Sequence, residues 1–118
     1  MINSARNMKT KPEQEDINTW LRRLDDLQRE NIELKNQLAL MMKTDIGVNA
    51  LEKAEYYQNE FINKDAIIAI LRHDIIMQNV SDKPKLEKLR KDMDMMGVAF
   101  NRLKIEFNNY YQKIATIN

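Results

Sequence analysis

Between Leu86 and Ile117 an apolar residue returns at every third or fourth position: Leu86, Leu89, Met93, Met96, Phe100, Leu103, Phe107, Tyr110, Ile114 and Ile117. Alternating steps of three and four keep one stripe of a helix facing a partner helix, and no polar residue breaks this one. A strand would need a period of two, and a loop has none. The seam therefore commits this stretch to a long helix packed against other helices.

An earlier segment repeats the pattern. Ile17, Trp20, Leu24, Leu27, Asn31, Leu34, Leu38 and Met41 predict a first helix over roughly 17–43. Asn31 is the only polar member of this seam. A lone Asn at such a position either fixes register or oligomeric state, or sits near a bundle surface bonded to water. The seam ends at Lys43-Thr44-Asp45-Ile46-Gly47, where capping residues beside a glycine predict a turn.

The second helix is expected from Val48 or Asn49 to Asn79, and it carries two apolar stripes. One is Ala54, Tyr57, Phe61, Ile68, Leu71 and Ile75, interrupted at Lys64. The other is Ile62, Ala66, Ala69, Ile76 and Val80, with His73 in the gap. A helix apolar on both sides is expected to be buried on both, as the middle layer of the fold. Val80-Ser81-Asp82-Lys83-Pro84 supplies the second turn. Ser81 or Asp82 can cap the third helix, and Pro84 is acceptable in its first turn.

At 1.5 Å per residue the three helices would be roughly 40, 47 and 52 Å long. Short links between long helices force antiparallel neighbours, so the expected arrangement is up-down-up. Gly97 lies off the third seam and costs about 1 kcal/mol relative to Ala, marking a close helix approach or a slight bend. Residues 1–15 show no hydrophobic period and contain Pro12, which predicts a frayed or disordered lead-in. The fold class is all-α: three long antiparallel helices in one helical-bundle domain over 16–118, with coiled-coil-like hairpins that dimerisation could complete.

Composition narrows the function. Lys and Arg number 19 against 18 Asp and Glu, with the signs interspersed, so no nucleic-acid partner is implied. With zero cysteines there are no disulfides, thiolate metal sites or cysteine nucleophiles. The start lacks a signal-peptide apolar region, and the longest apolar run is Ala66 to Leu71, so the expectation is a cytoplasmic protein without a membrane span. No cofactor is implied. One histidine leaves no Glu-x-x-His pair for a di-iron bundle, and Asp92 and Asp94 diverge around Met93 instead of converging on a metal. Ser4 and Ser81 lack the context of a nucleophile. The basic residues of 83–91 alternate with Asp82, Glu87 and Asp92, as on a helix surface laced with ion pairs. Enzymatic activity is not expected.

His73 lies in line with the second stripe of helix two, which predicts a partly buried, hydrogen-bonded ring paired with a nearby carboxylate. The triplet Arg72-His73-Asp74 on an amphipathic helix also resembles the phosphoacceptor box of sensor histidine kinases, over about eight residues. That box carries an Asn four places after its His, where this chain has Met77, and no Gly-rich ATP-binding segment follows. The resemblance implies a phosphotransfer or signalling module in which His73 receives phosphate from another protein.

The expected function is instead a non-enzymatic helical protein–protein interaction or adaptor module that self-associates, with a twofold dimer as its default form. Met95, with Val98, Ala99, Tyr111, Ile32 and Leu40, adds apolar surface outside the seams, to be buried by a third helix or another chain. The candidate association residues are Asn31, Ile62, Ala66, Ala69, His73, Ile76 and Met95.

Overall fold

The structure is a computed structural model whose backbone is described for residues 2–78 and 82–117, and whose side chains are described for 15–78 and 82–116. Three helices account for it: α1 (Ile2–Met42), α2 (Val48–Ile76) and α3 (Lys83–Ile117). They form an all-α bundle 68 Å long and under 20 Å across (19 and 18 Å).

The seams become the core. Every member of the α1 seam from Ile17 to Met41 is buried, as is the α3 seam from Leu86 to Phe107, with Tyr110 and Ile114 packed against its end. In α2 the stripe Ala54, Tyr57, Phe61, Ile68, Leu71 and Ile75 is buried, and so is the residue that interrupts it, Lys64. Full burial of each large apolar side chain is worth roughly 1.5–3 kcal/mol, which makes this shared interior the main stabilising term.

Cross-helix contacts fix the directions. Asp16 accepts from Arg90, and Glu30 from Lys104, both pairs separated by 74 residues, so α1 and α3 run parallel in one register. From Asp25 to Asn31 along α1, the partner on α2 moves back from Arg72 to Asp65, so these two are antiparallel. At the far end Tyr57 and Phe61 meet Phe107 edge to face, and the Tyr110 hydroxyl donates to the Ala50 carbonyl at 2.6 Å. The topology is up-down-up. The bundle is closed, however: α1 packs directly on α3, and α2 is not a middle layer.

Both turns use the chemistry of their residues. Thr44 closes the end of α1 by donating its hydroxyl to the Met41 carbonyl at 2.8 Å. Gly47 precedes α2 at φ 84, a conformation in which a side chain would be strained. Asp82 caps α3, its carboxylate accepting the Lys85 N–H at 3.3 Å, three residues on. The alternative cap, Ser81, and the last member of the second α2 stripe, Val80, lie outside the described residues.

α1 begins at Ile2, ahead of the first seam residue at Ile17. Helical hydrogen bonds propagate along the backbone without tertiary partners, so periodicity marks the packed part of a helix and not its first residue. The expected lead-in over 1–15 has helical backbone from Ile2, and its side chains through residue 14 lie outside the described residues. At the other boundary α2 ends at Ile76, short of Asn79. Among the described residues no helix is long and apolar enough to cross a membrane.

Candidate functional site

α2 is a single helix with two competing faces, and bulk decides between them. The stripe that carries Tyr57, Phe61, Ile68, Leu71 and Ile75 removes more apolar area from water than one containing two alanines and a histidine. The bulkier stripe takes the core, which turns the second outward. Ile62 is 55% exposed and Ile76 62%, and Ala66 and Ala69 are exposed between them. The expectation that α2 is buried on both sides does not hold within the chain.

Ile70, Met77 and Asn63 extend this exposed face, so the outward arc of α2 from Ile62 to Met77 contains no lysine, arginine, aspartate or glutamate. It spans about four helical turns, or roughly 22 Å. All but one of the charged residues of the same stretch are turned aside. Asp65 accepts from the Asn31 amide at 2.7 Å and from the Lys35 ammonium, both on α1. Arg72 donates from Nη2 to Asp25 at 2.8 Å and to Gln28 at 2.9 Å, again on α1. Lys64 lines a groove with α3, and Asp74, on the rim of that groove, stays exposed at the edge of the arc beside His73. By contrast the exposed surface of α1 carries Arg22, Asp25, Asp26, Arg29 and Glu33, and that of α3 carries Glu87, Lys88, Lys91, Asp94 and Arg102, while the outermost positions of α3 beyond Asp94, Val98, Asn101, Ile105, Asn108 and Gln112, are polar or apolar without charge.

His73 belongs to the uncharged arc. Its side chain is 74% exposed, with Nδ1 3.7 Å from the Asp74 carboxylate. The expected partly buried ring is therefore incorrect: the histidine rides on the stripe that lost the competition for the core. It stands in the last turn of α2, ahead of the cap at Met77.

Asn31 is the opposite case. It is 0% exposed, and its Nδ2 donates to the Phe61 carbonyl at 3.0 Å as well as to Asp65. A water-bonded Asn at the bundle surface is thereby excluded, and the amide ties α1 to α2 inside the chain. Its Oδ1 is buried without a partner.

Met95 is 70% exposed and borders the α2–α3 groove, a cavity of about 400 Å³ floored by Ile67, Leu71 and Met96 and edged by Ile70 and Ala99. Among the described residues no third helix covers it, nor Val98, Ala99, Ile32 or Leu40; of that set Tyr111 alone is half-buried. A second cleft of about 490 Å³ opens at the other end of the same helix pair, among Tyr56, Tyr57, Tyr110 and Glu106. Burial pushes the hydroxyls of Tyr57 and Tyr110 up from their ordinary value, and the charge of Glu106 adds to the effect at Tyr57.

Two features of the site escape a residue-by-residue reading of the sequence. The diversion of Asp65 and Arg72 to α1 follows from their position beside the buried stripe, which the heptad numbering of α2 could have shown. The tyrosine cleft requires the antiparallel register of α2 and α3, for which no single motif stands. Among the described residues no three histidine, cysteine or carboxylate side chains gather in a metal-binding arrangement. No family model, curated protein or solved structure matches the chain.

Proposed function

We infer that the chain is a non-enzymatic helical interaction module that self-associates through the outward arc of α2. The observation that carries this reading is the set of large apolar side chains along that arc, Ile62, Ile70, Ile76 and Met77, each more than half exposed, with no lysine, arginine, aspartate or glutamate among them. Exposed apolar surface that is contiguous and ringed by polar groups marks an association site. Covering the exposed parts of Ile62, Ile70 and Ile76 would contribute on the order of 1 kcal/mol each.

Ala69→Glu tests it. The position is exposed, glutamate is a good helix former, and the variant keeps its fold. The expected result is a wild-type dimer in sedimentation at high micromolar concentration and a monomeric variant with unchanged helicity. Asn36→Glu, on the outward face of α1, is the control and stays dimeric. Equal association of all three proteins would overturn the reading.

The second reading is phosphotransfer through His73, favoured by the exposure of its ring and the adjacent Asp74. A small phosphoramidate donor would then leave an acid-labile phosphoryl group on the wild-type chain and none on His73→Ala. An unlabelled wild-type chain would exclude it.

A further inference from the structure

We propose that the α2 arc closes on the same arc of a second copy, the two helices antiparallel about a twofold axis passing between Ala66 and Ala69. The proposal rests on the arc being the docking face, and it assigns the occupant and the register.

Charge and apolar content together select the occupant. An uncharged face laid on a charged one would strip water from charges and offer them no partner. Among the described residues of this chain, the outward face of α1 is charged from Arg22 to Glu33, and the uncharged outermost line of α3 from Val98 to Thr116 sets Asn101, Asn108 and Gln112 among its apolar groups, so the best match for the apolar α2 arc is α2 itself.

The rim selects the direction. Asp65 and Arg72 stand one heptad apart on the same edge of the arc and carry opposite charges. Antiparallel pairing with Ala66 against Ala69 of the partner subunit lays Asp65 beside Arg72 of the partner subunit, and the twofold axis repeats the pair. A parallel pairing in register would lay Asp65 beside Ile70 of the partner subunit and Arg72 beside Met77 of the partner subunit, charge against hydrocarbon. Both rim residues have capacity left. The intrachain bonds of Arg72 leave from Nη2, which keeps Nη1 and Nε as donors, and each carboxylate oxygen of Asp65 holds a further lone pair. The alanines at the axis let the backbones approach closely, while Ile62 packs beside His73 of the partner subunit at either end.

The chain contains no cysteine, so single-cysteine variants at these exposed positions report cleanly with a short bismaleimide. In the proposed register, residues 66 and 69 lie about 5 Å along the axis from their own counterparts, against about 17 Å for residue 62 and about 26 Å for residue 76. The expected result is cross-linked dimer from Ala66→Cys and from Ala69→Cys, and none from Ile62→Cys or Ile76→Cys alone. Mixing Ile62→Cys with His73→Cys restores it. Equal cross-linking at every single site would overturn the antiparallel register while leaving the docking face intact. A dimer that no α2 cysteine cross-links would overturn the face as well, and a monomer throughout would remove self-association altogether.

Discussion

The side-chain amide of Asn31 bridges two consecutive turns of α2, donating to the Phe61 carbonyl at 3.0 Å and to the Asp65 carboxylate at 2.7 Å. It does so from the interior of a seam whose other members are apolar, so sliding α1 along α2 by one turn would bury the amide without partners. Lys35 reaches the same carboxylate from the next turn of α1, which fixes the pairing from the bundle surface.

Asn31→Ala is expected to lower stability by about 2 kcal/mol, from the lost hydrogen bonds and the space left in the seam. Asn31→Leu fills that space, and Asp65 remains exposed enough to be hydrated, so its cost stays within about 1 kcal/mol. Urea unfolding with an unchanged denaturant slope separates the two. A leucine variant as unstable as the alanine variant would show that the amide stabilises the bundle as well as specifying its register.

Gly97 is buried beneath the Arg23 side chain of α1, and a methyl group built on it would approach the Arg23 guanidinium at 2.6 Å. The obstacle is the far end of a flexible side chain and not backbone. Gly97→Ala is therefore expected to raise stability by about 0.5–1 kcal/mol through helix propensity, with Arg23 moving aside. A fall in melting temperature would mean that the close approach of α1 and α3 at this point depends on glycine.

What the sequence shows best is the three-four spacing, because the physics that writes it, burial of one stripe per helix, also sets the architecture. Leu86 to Phe107 and Ile17 to Met41 are buried as spaced. The spacing is silent on which of two stripes wins when one helix carries both, since that depends on the relative bulk of Phe61 and Ile68 against Ala66 and Ala69. His73 went outward with the losing stripe for the same reason. Nor can a period report where backbone hydrogen bonding begins, and α1 starts ahead of its seam.

Tyr57 and Tyr110 predict an alkaline limit. Burial raises both hydroxyls above the ordinary value of 10.0. A group whose folded value is raised stabilises the fold fully below its unfolded value and loses that contribution as pH climbs through the folded one. Melting temperature is thus expected to be level between pH 8 and 9.5 and to fall above about 10. Tyr57→Phe flattens the fall. Tyr110→Phe flattens it too, and costs about 1 kcal/mol at neutral pH because the hydrogen bond to the Ala50 carbonyl is lost. An unaltered alkaline profile in both variants would place the limit elsewhere.

Lys64 occupies a seam position of α2 with its side chain only 8% exposed, its ammonium 3.6 Å from the Glu60 carboxylate. The aliphatic stem packs like a core residue, while the charge loses much of its hydration and regains it in part from one carboxylate at less than ideal distance. Glu60 is 34% exposed at its side chain and can stay hydrated alone. Lys64→Leu makes the α2 stripe continuous from Ala54 to Ile75, and removes a partly compensated charge without stranding its partner. The expected outcome is a gain of about 1 kcal/mol in urea unfolding, with helicity unchanged. Lys64→Ala loses the stem as well as the charge and is expected to cost about 1 kcal/mol or more. If the leucine variant were instead the less stable of the two, the ammonium would be a net stabilising element of the α2–α3 groove, and the charge, not the stem, would be what the seam position requires.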